Sequence, residues 1–103
     1  MSKLGISEGI VDEQALERVT SVLKALSLPI RLRIVCELMI REKTPSELSA
    51  ILNARPTLVS QQLAILRQQG LIAGHKDGLN VIYRIADQKA VSIINSLCRI
   101  YRK

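Results

Sequence analysis

Apolar side chains recur at three- and four-residue intervals over most of the chain, the spacing of one face of an α-helix. From about Asp12 to Leu26, the residues Ala15, Val19, Val22 and Leu26 form such a stripe, and Leu16 and Leu23 widen it. A second helix follows Ser27 and Pro29 and runs to about Arg41. Ser27 or Leu28 sits at its cap, the proline lies in its first turn, and Ile30, Ile34 and Leu38 with Val35 and Met39 form its buried face. Met1–Val11 has two glycines and little periodicity, which predicts a loose arm ahead of one domain over 12–103.

Thr44-Pro45-Ser46-Glu47 is a capping box: the threonine hydroxyl accepts from the amide at Glu47, the glutamate reaches back, and proline takes the first helical position. A short helix, Pro45–Leu52, starts there. Asn53-Ala54-Arg55 then makes a three-residue turn, and Pro56 opens another helix through Leu58, Val59, Leu63 and Leu66 that Gly70 ends. Two helices with so tight a joint predict a helix-turn-helix. Beyond Gly70 the period changes. Leu71-Ile72-Ala73 and Val81-Ile82-Tyr83-Arg84-Ile85 are β-prone runs around Lys76–Asn80, and Asp77-Gly78 between them reads as a hairpin turn. Asp87 caps a last helix, about Gln88–Tyr101, in which Val91, Ile94, Leu97, Cys98 and Tyr101 line one side while Ile93 and Ile100 spread apolar surface around the cylinder.

Such coverage on the first and last helices exceeds what one face buries in a monomer, so the two are expected to form a two-fold interface. A fuller monomer core is the alternative. A dimer matches the way two-fold proteins address palindromic half-sites about one DNA turn, ~34–36 Å, apart. With 103 residues, 48% of them hydrophobic but only 2% aromatic, the core must be built from Leu, Ile, Val and Ala, which favours a mainly helical fold with a small β-hairpin.

The charge is uneven. Residues 1–50 hold 7 basic and 7 acidic side chains, residues 51–103 hold 8 basic and 2 acidic, so the whole excess of +6 lies in the second half. A positive half favours a polyanion, because each Lys or Arg placed on a phosphate releases condensed counterions. No apolar run approaches the ~20 residues of a bilayer span, and Met1–Gly9 lacks the layout of a signal peptide, so a cytoplasmic protein without a membrane partner is expected.

A recognition helix needs short polar groups near its N-terminus to meet base edges, with basic groups beside them for phosphates. Thr57, Ser60 and Gln61 have that placement, on a face opposite Leu58, Leu63 and Leu66, which are expected to pack inward. Gln61 is the best candidate for a base contact, since its amide pairs bidentately with adenine, and Gln62, farther round the helix, is a weaker one. Arg55 and Arg67 are expected on phosphates, and His75, Lys76, Asn80 and Arg84 of the hairpin on backbone or minor groove. Taken alone, such a face is ordinary solvated surface. Its position after a tight turn and a capped helix, ahead of a hairpin and inside the charged half, favours DNA. A winged-helix protein-interaction module is the alternative of another class. With one histidine, no cysteine adjacent to it and no phosphate loop, no enzyme is expected.

Leu26-Ser27-Leu28-Pro29-Ile30-Arg31-Leu32-Arg33-Ile34, Ser60-Gln61-Gln62-Leu63, Leu66-Arg67-Gln68-Gln69-Gly70-Leu71-Ile72 and Asp77-Gly78 to Tyr83-Arg84 resemble the ArsR/SmtB family over nearly the whole chain. The resemblance implies an α-α-α-α-β-β-α winged helix-turn-helix, a dimer through the terminal helices, and repression relieved by an inducer. The family's usual Ser-Gln-His-Leu stands here as Ser60-Gln61-Gln62-Leu63, and Arg55-Pro56 replaces a typical serine ahead of the recognition helix. Many relatives sense metal through a Cys-x-Cys pair or Asp/His clusters, but residues 36–40 read Cys-Glu-Leu-Met-Ile and the last helix has no histidine, so neither metal nor cofactor is expected.

Cys36 and Cys98 remain, and they resemble the pair of the persulfide- and redox-sensing BigR/YgaV/HlyU-like subgroup. Cys36 follows the apolar run Leu32-Arg33-Ile34-Val35 as the first subgroup cysteine does. The second normally ends the last helix after an aromatic; Cys98 stands about one turn earlier, a displacement of ~6 Å that keeps its face. A disulfide tolerates only about 4.4–6.8 Å between Cα atoms, so the offset leaves a link open. Two thiols acting as small hydrophobes are the equal alternative. Reactivity requires a lowered thiol pKa, to which Arg33 or Arg99 contribute if they point that way.

Overall fold

In the computed structural model, which describes residues 12–102, five helices and one hairpin follow each other as α1 Glu13–Leu26, α2 Pro29–Ile40, α3 Pro45–Leu52, α4 Pro56–Gln68, β1 Ile72–Asp77, β2 Asn80–Ile85 and α5 Gln88–Tyr101. This is the α-α-α-α-β-β-α order of a winged helix-turn-helix. The expected arm, Met1–Val11, lies outside the described residues.

Each boundary has a local cause. Asp12 caps α1 by accepting from the Ala15 amide at 2.6 Å, and Glu13 and Lys24 sit at the ends whose partial charge each offsets. Thr44 and Glu47 close the capping box of α3 at 3.2 and 2.8 Å, and Arg41 holds the same glutamate at 3.0 Å. The Thr44 amide and the Arg41 guanidinium together keep the Glu47 carboxyl below the usual carboxylate range. Asn53, left-handed at φ 51°, turns the chain out of α3, and Pro56 starts α4 three residues later.

Gly70, at φ 76°, ends α4 in a Schellman motif: its amide donates to the Arg67 carbonyl and that of Leu71 to the Leu66 carbonyl. Leu66 and Leu71 are both buried there, the apolar pair that usually accompanies this turn. Leu71 therefore belongs to the cap rather than to the first strand. Its carbonyl then accepts from the amides of Ala86 and Asp87 and closes the base of the hairpin.

The hairpin runs in register from Ile72 opposite Ile85 to Asp77 opposite Asn80, so the two turn residues are Gly78 and Leu79, not the expected Asp77-Gly78. Gly78 alone has positive φ, 64°, as in a type II′ turn, and that turn carries the right-handed twist of the strands. Lys43 adds a single bridge beside β2, exchanging two backbone hydrogen bonds with Tyr83 at 3.1 and 2.8 Å. Its side chain is buried, with Nζ donating to the Glu37 carbonyl at 2.7 Å and lying 3.6 Å from the Glu37 carboxylate.

The core joins Ile34, Val35 and Leu38 of α2 to Leu48 and Leu52 of α3, Val59, Leu63 and Leu66 of α4, and Leu71 and Ile72. The terminal helices contribute only Val22 and Ala25, and Ala90 and Ile94. Of the stripe predicted on α1, Val22 is buried and Leu26 half-buried, while Ala15 and Val19 are exposed along with the flanking Leu16 and Leu23. The N-terminal turns of α1 reach past the core, as do the last turns of α5.

Candidate nucleic-acid interface

Helix α4 is backed by the core along Val59, Gln62, Leu63 and Leu66, a three-and-four spacing that leaves Thr57, Ser60, Gln61, Ala64, Arg67 and Gln68 exposed. Leu58, expected inside, is 39% exposed. The inward stripe passes one residue later, through Val59, Gln62, Leu63 and Leu66. Arg55 stands exposed at the N-cap with no side-chain hydrogen bond to the first-turn amides, and the first turn has no acidic residue. Thr57, Ser60 and Gln61, with Arg55 at the N-cap, thus place hydroxyl, amide and guanidinium groups around the start of the helix, while Arg67 lies in its last turn.

The hairpin stands beside this helix, joined to it through Gly70 and Leu71. Its four sequence candidates are all exposed but do not share a face. Cross-strand pairing puts His75, Asn80 and Arg84 on one side together with Asp77, and Lys76 on the other with Val81 and Tyr83. Arg84 Nη1 lies 3.3 Å from His75 Nδ1. Arg84 has only protons to give, so this contact has the imidazole accepting at Nδ1.

Residues 29–73, the span from the start of α2 into β1, match the bacterial regulatory protein, arsR family. The biofilm growth-associated repressor of Xylella fastidiosa (strain Temecula1) is 33% identical over 89 residues, which cover 86% of this chain and 78% of that repressor. The chain belongs to the ArsR family. Among solved structures, the transcriptional repressor BigR from Xylella fastidiosa superposes with a TM-score of 0.83 at 32% identity, over 88% of this chain and 93% of BigR. HlyU from Vibrio cholerae N16961 does so with a TM-score of 0.83 at 32% identity, over 88% and 99%. This ArsR protein is a transcriptional regulator with a DNA-binding fold, not an enzyme, and its similarity includes the BigR and HlyU subgroup.

Gln62 corrects the sequence reading. Its side chain is 7% exposed, on the core stripe rather than the outer face, and its Oε1 accepts from Arg31 Nη1 at 3.1 Å. A residue so placed is withdrawn from base edges. The signal was in the sequence, since position 62 falls between Val59 and Leu66 at helical spacing; its polar side chain hid it. Two further arginines went unnoticed. Arg31 also donates from Nε to the Ala25 carbonyl at 2.6 Å, and Arg18 joins the Gln69 carbonyl at 2.9 Å to the Asp87 carboxylate at 2.6 Å. Burial tends to raise the Asp87 carboxyl. The Arg18 hydrogen bond and charge and the amides of Lys89 and Ala90 outweigh it and hold the group below its ordinary value.

Both cysteines of this ArsR chain are free, Cys36 half-buried on α2 and Cys98 exposed on α5. Burial first, then the neighbouring Cys98 and Glu37, push the Cys36 thiol above its ordinary value. The lowered pKa that reactivity requires is therefore not met at Cys36: the charged groups that act on it are acidic, and Arg33 and Arg99 do not offset them. Cys98 borders a 230 Å³ apolar groove with Leu23, Leu26, Leu32 and Leu97. Among the described residues no group of three or more His, Cys, Asp and Glu side chains is placed to hold a metal ion, and no helix is long and apolar enough to cross a membrane.

Proposed function

We propose that the chain is a homodimeric repressor that binds a palindromic double-stranded DNA operator, with α4 of each protomer in a major groove and the hairpins alongside. One observation carries this reading: α4 turns Thr57, Ser60 and Gln61 outward on a helix held rigidly from behind by Val59, Leu63 and Leu66. Gln61 and Ser60 meet base edges, Thr57 lies at the groove entrance, and Arg55 and Arg67 sit on phosphates. His75, Asn80 and Arg84 approach the backbone or minor groove from one face of the hairpin, and Lys76 from the other. Relatives named as repressors support the direction of control.

The dimer runs through α1 and α5. Their exposed Leu16, Val19, Leu23, Leu97, Ile100 and Tyr101 form apolar surface that a second copy covers. A 460 Å³ groove between the two helices, bordered by Val19, Val22, Ala90 and Ile93, gives that copy a place to enter. The cytoplasm, where such an operator lies, is the proposed compartment.

Salt titration on a palindromic duplex and on a scrambled one of the same length tests the reading. Affinity for the palindrome should fall steeply with salt yet stay ~10³-fold or more above the scrambled duplex. Weak binding indifferent to sequence would favour a protein-interaction module. Derepression by persulfidation or oxidation of Cys36 and Cys98 is the finer part of the proposal, supported by a Cys98 near enough to act on the charge of the Cys36 thiol. The raised Cys36 pKa favours a second reading, an ArsR regulator without thiol sensing. Mass spectrometry after a persulfide donor, paired with DNA binding, separates the two: full modification with unaltered affinity removes the switch.

A further inference from the structure

The inner stripe of α4 contains one amide among aliphatics. A buried amide costs free energy unless it is hydrogen-bonded, and a leucine of similar size would fill position 62 without that cost. The Gln62 Oε1 accepts from Arg31 Nη1 at 3.1 Å, and Arg31 is committed elsewhere as well. Its Nε donates to the Ala25 carbonyl at 2.6 Å and its Nη2 approaches the Lys24 carbonyl at 3.5 Å. Both carbonyls lie in the last turn of α1; that of Lys24 also accepts from the Ser27 amide at 3.3 Å and the Ser27 hydroxyl at 2.7 Å, so the bond to Ala25 is the main tie. One half-buried guanidinium thus ties the C-terminus of α1 to the back of α4.

We propose that Gln62, acting through Arg31, is a positioning residue that fixes the rotation of α4 relative to α1, so that the two-fold interface sets the spacing of the two DNA-reading helices. The planar guanidinium fork makes the tie directional. Its Nε and Nη1 protons point along fixed, different directions, so turning α4 about its axis, or tilting α1, breaks one bond or the other. A lysine in its place has a single nitrogen for both duties. This inference rests on the reading of α4 as the DNA-reading helix and α1 as part of the dimer face.

The test uses the full chain and three proteins: wild type, Gln62→Leu and Gln62→Glu. Each is offered a randomised duplex library, then a series of the enriched palindrome with its half-sites moved apart by single base pairs. Wild type should prefer one spacing. Gln62→Leu should enrich the same half-site sequence, bind the preferred spacing roughly tenfold more weakly, and accept neighbouring spacings. Gln62→Glu, whose carboxylate accepts from Arg31, should restore the preference. A residue that merely fills the core would lower the melting temperature and leave the spacing preference alone. A base-contacting residue would change the enriched sequence, and glutamate would not restore it. Either result overturns the proposal.

Hydrogen exchange on the free proteins provides an arm without DNA. In Gln62→Leu the amides of the last turn of α1 and of α4 should exchange faster together, and both should recover in Gln62→Glu; independent behaviour overturns the tie. If wild type enriches no duplex, the DNA-binding reading falls, and the exchange arm still decides whether the tie exists.

Discussion

Helices α4 and α5 have nearly equal lengths, 13 and 14 residues, and both lie at the surface, yet they present opposite chemistry to their surroundings. Four side chains of α4 are buried, and near its start it shows hydroxyl and amide groups beside a partly exposed Leu58. Helix α5 buries only Ala90 and Ile94, while Ile100 is 72% and Tyr101 82% exposed. A polar outer face on a well-anchored helix suits a wet, polar partner such as a base edge, whose hydrogen bonds need a rigid donor. An apolar outer face on a weakly anchored helix suits a second protein surface, since its burial is what stabilises it. The same contrast separates α3 and α4 from α1 as a group, and it explains why the two ends of the chain add little to the core of one protomer.

If the contrast is real, the two faces of α4 respond differently from those of α5. Leu63 is 1% exposed at the centre of the core, so Leu63→Ala should destabilise the protein by about 2–5 kcal/mol in chemical denaturation, whatever DNA is present. Leu97→Asp, on the outer side of α5, should instead weaken self-association by about a hundredfold in sedimentation equilibrium. The isolated protomer should retain its helical circular dichroism. A stable dimer in that variant would move the interface off α5.

The link between the regions is electrostatic as well. Asp87 caps α5 and receives Arg18 from α1, and its carboxyl is held below the unfolded value near 3.9. Its contribution is therefore present above the unfolded pKa and is lost as pH falls through the lower, folded one. Asp87→Asn keeps the capping oxygen and removes the charge. Wild type should exceed it by under about 1 kcal/mol at neutral pH, the partly exposed Arg18 limiting the gain, and the two denaturation curves should converge in acid below about pH 4. The smallest effect concerns Cys36. Alkylation of this thiol should rise with a midpoint above the ordinary cysteine value of about 8.5, and Cys98→Ser should lower that midpoint only in part, because burial is the larger cause. A midpoint below the ordinary value would restore an activated thiol to the account.

Local signals were legible wherever a backbone group needed a particular side chain. Thr44 with Glu47, Pro56, Gly70 and Asp87 each act within about one turn, and helices α3, α4 and α5 begin, and α4 ends, where those signals put them. What depended on distant partners was not legible. Leu58 and Val59 are both apolar, and only the packing of α4 against the rest of the core decides which turns in. Lys43 became a strand partner of Tyr83 through the fold alone, with no run of β-prone residues to announce it. For the candidate interface, Ser60, Gln61 and Thr57 emerged where expected on the exposed face, whereas Gln62 was assigned by its chemistry when its position on the stripe was the better guide. The hairpin candidates were correctly exposed, but their division between two faces required the register fixed by Gly78 and Leu79.

The most direct measurement is of base discrimination by α4. Ser60→Ala combined with Gln61→Ala removes the outward hydrogen-bonding groups and leaves the core stripe intact, so stability should stay within about 0.5 kcal/mol. The account predicts that discrimination between the enriched palindrome and duplexes altered at single half-site positions falls by about 10- to 100-fold at those positions, with the salt dependence unchanged. Discrimination equal to that of wild type would contradict it, because the bases would then be read by some other part of the molecule.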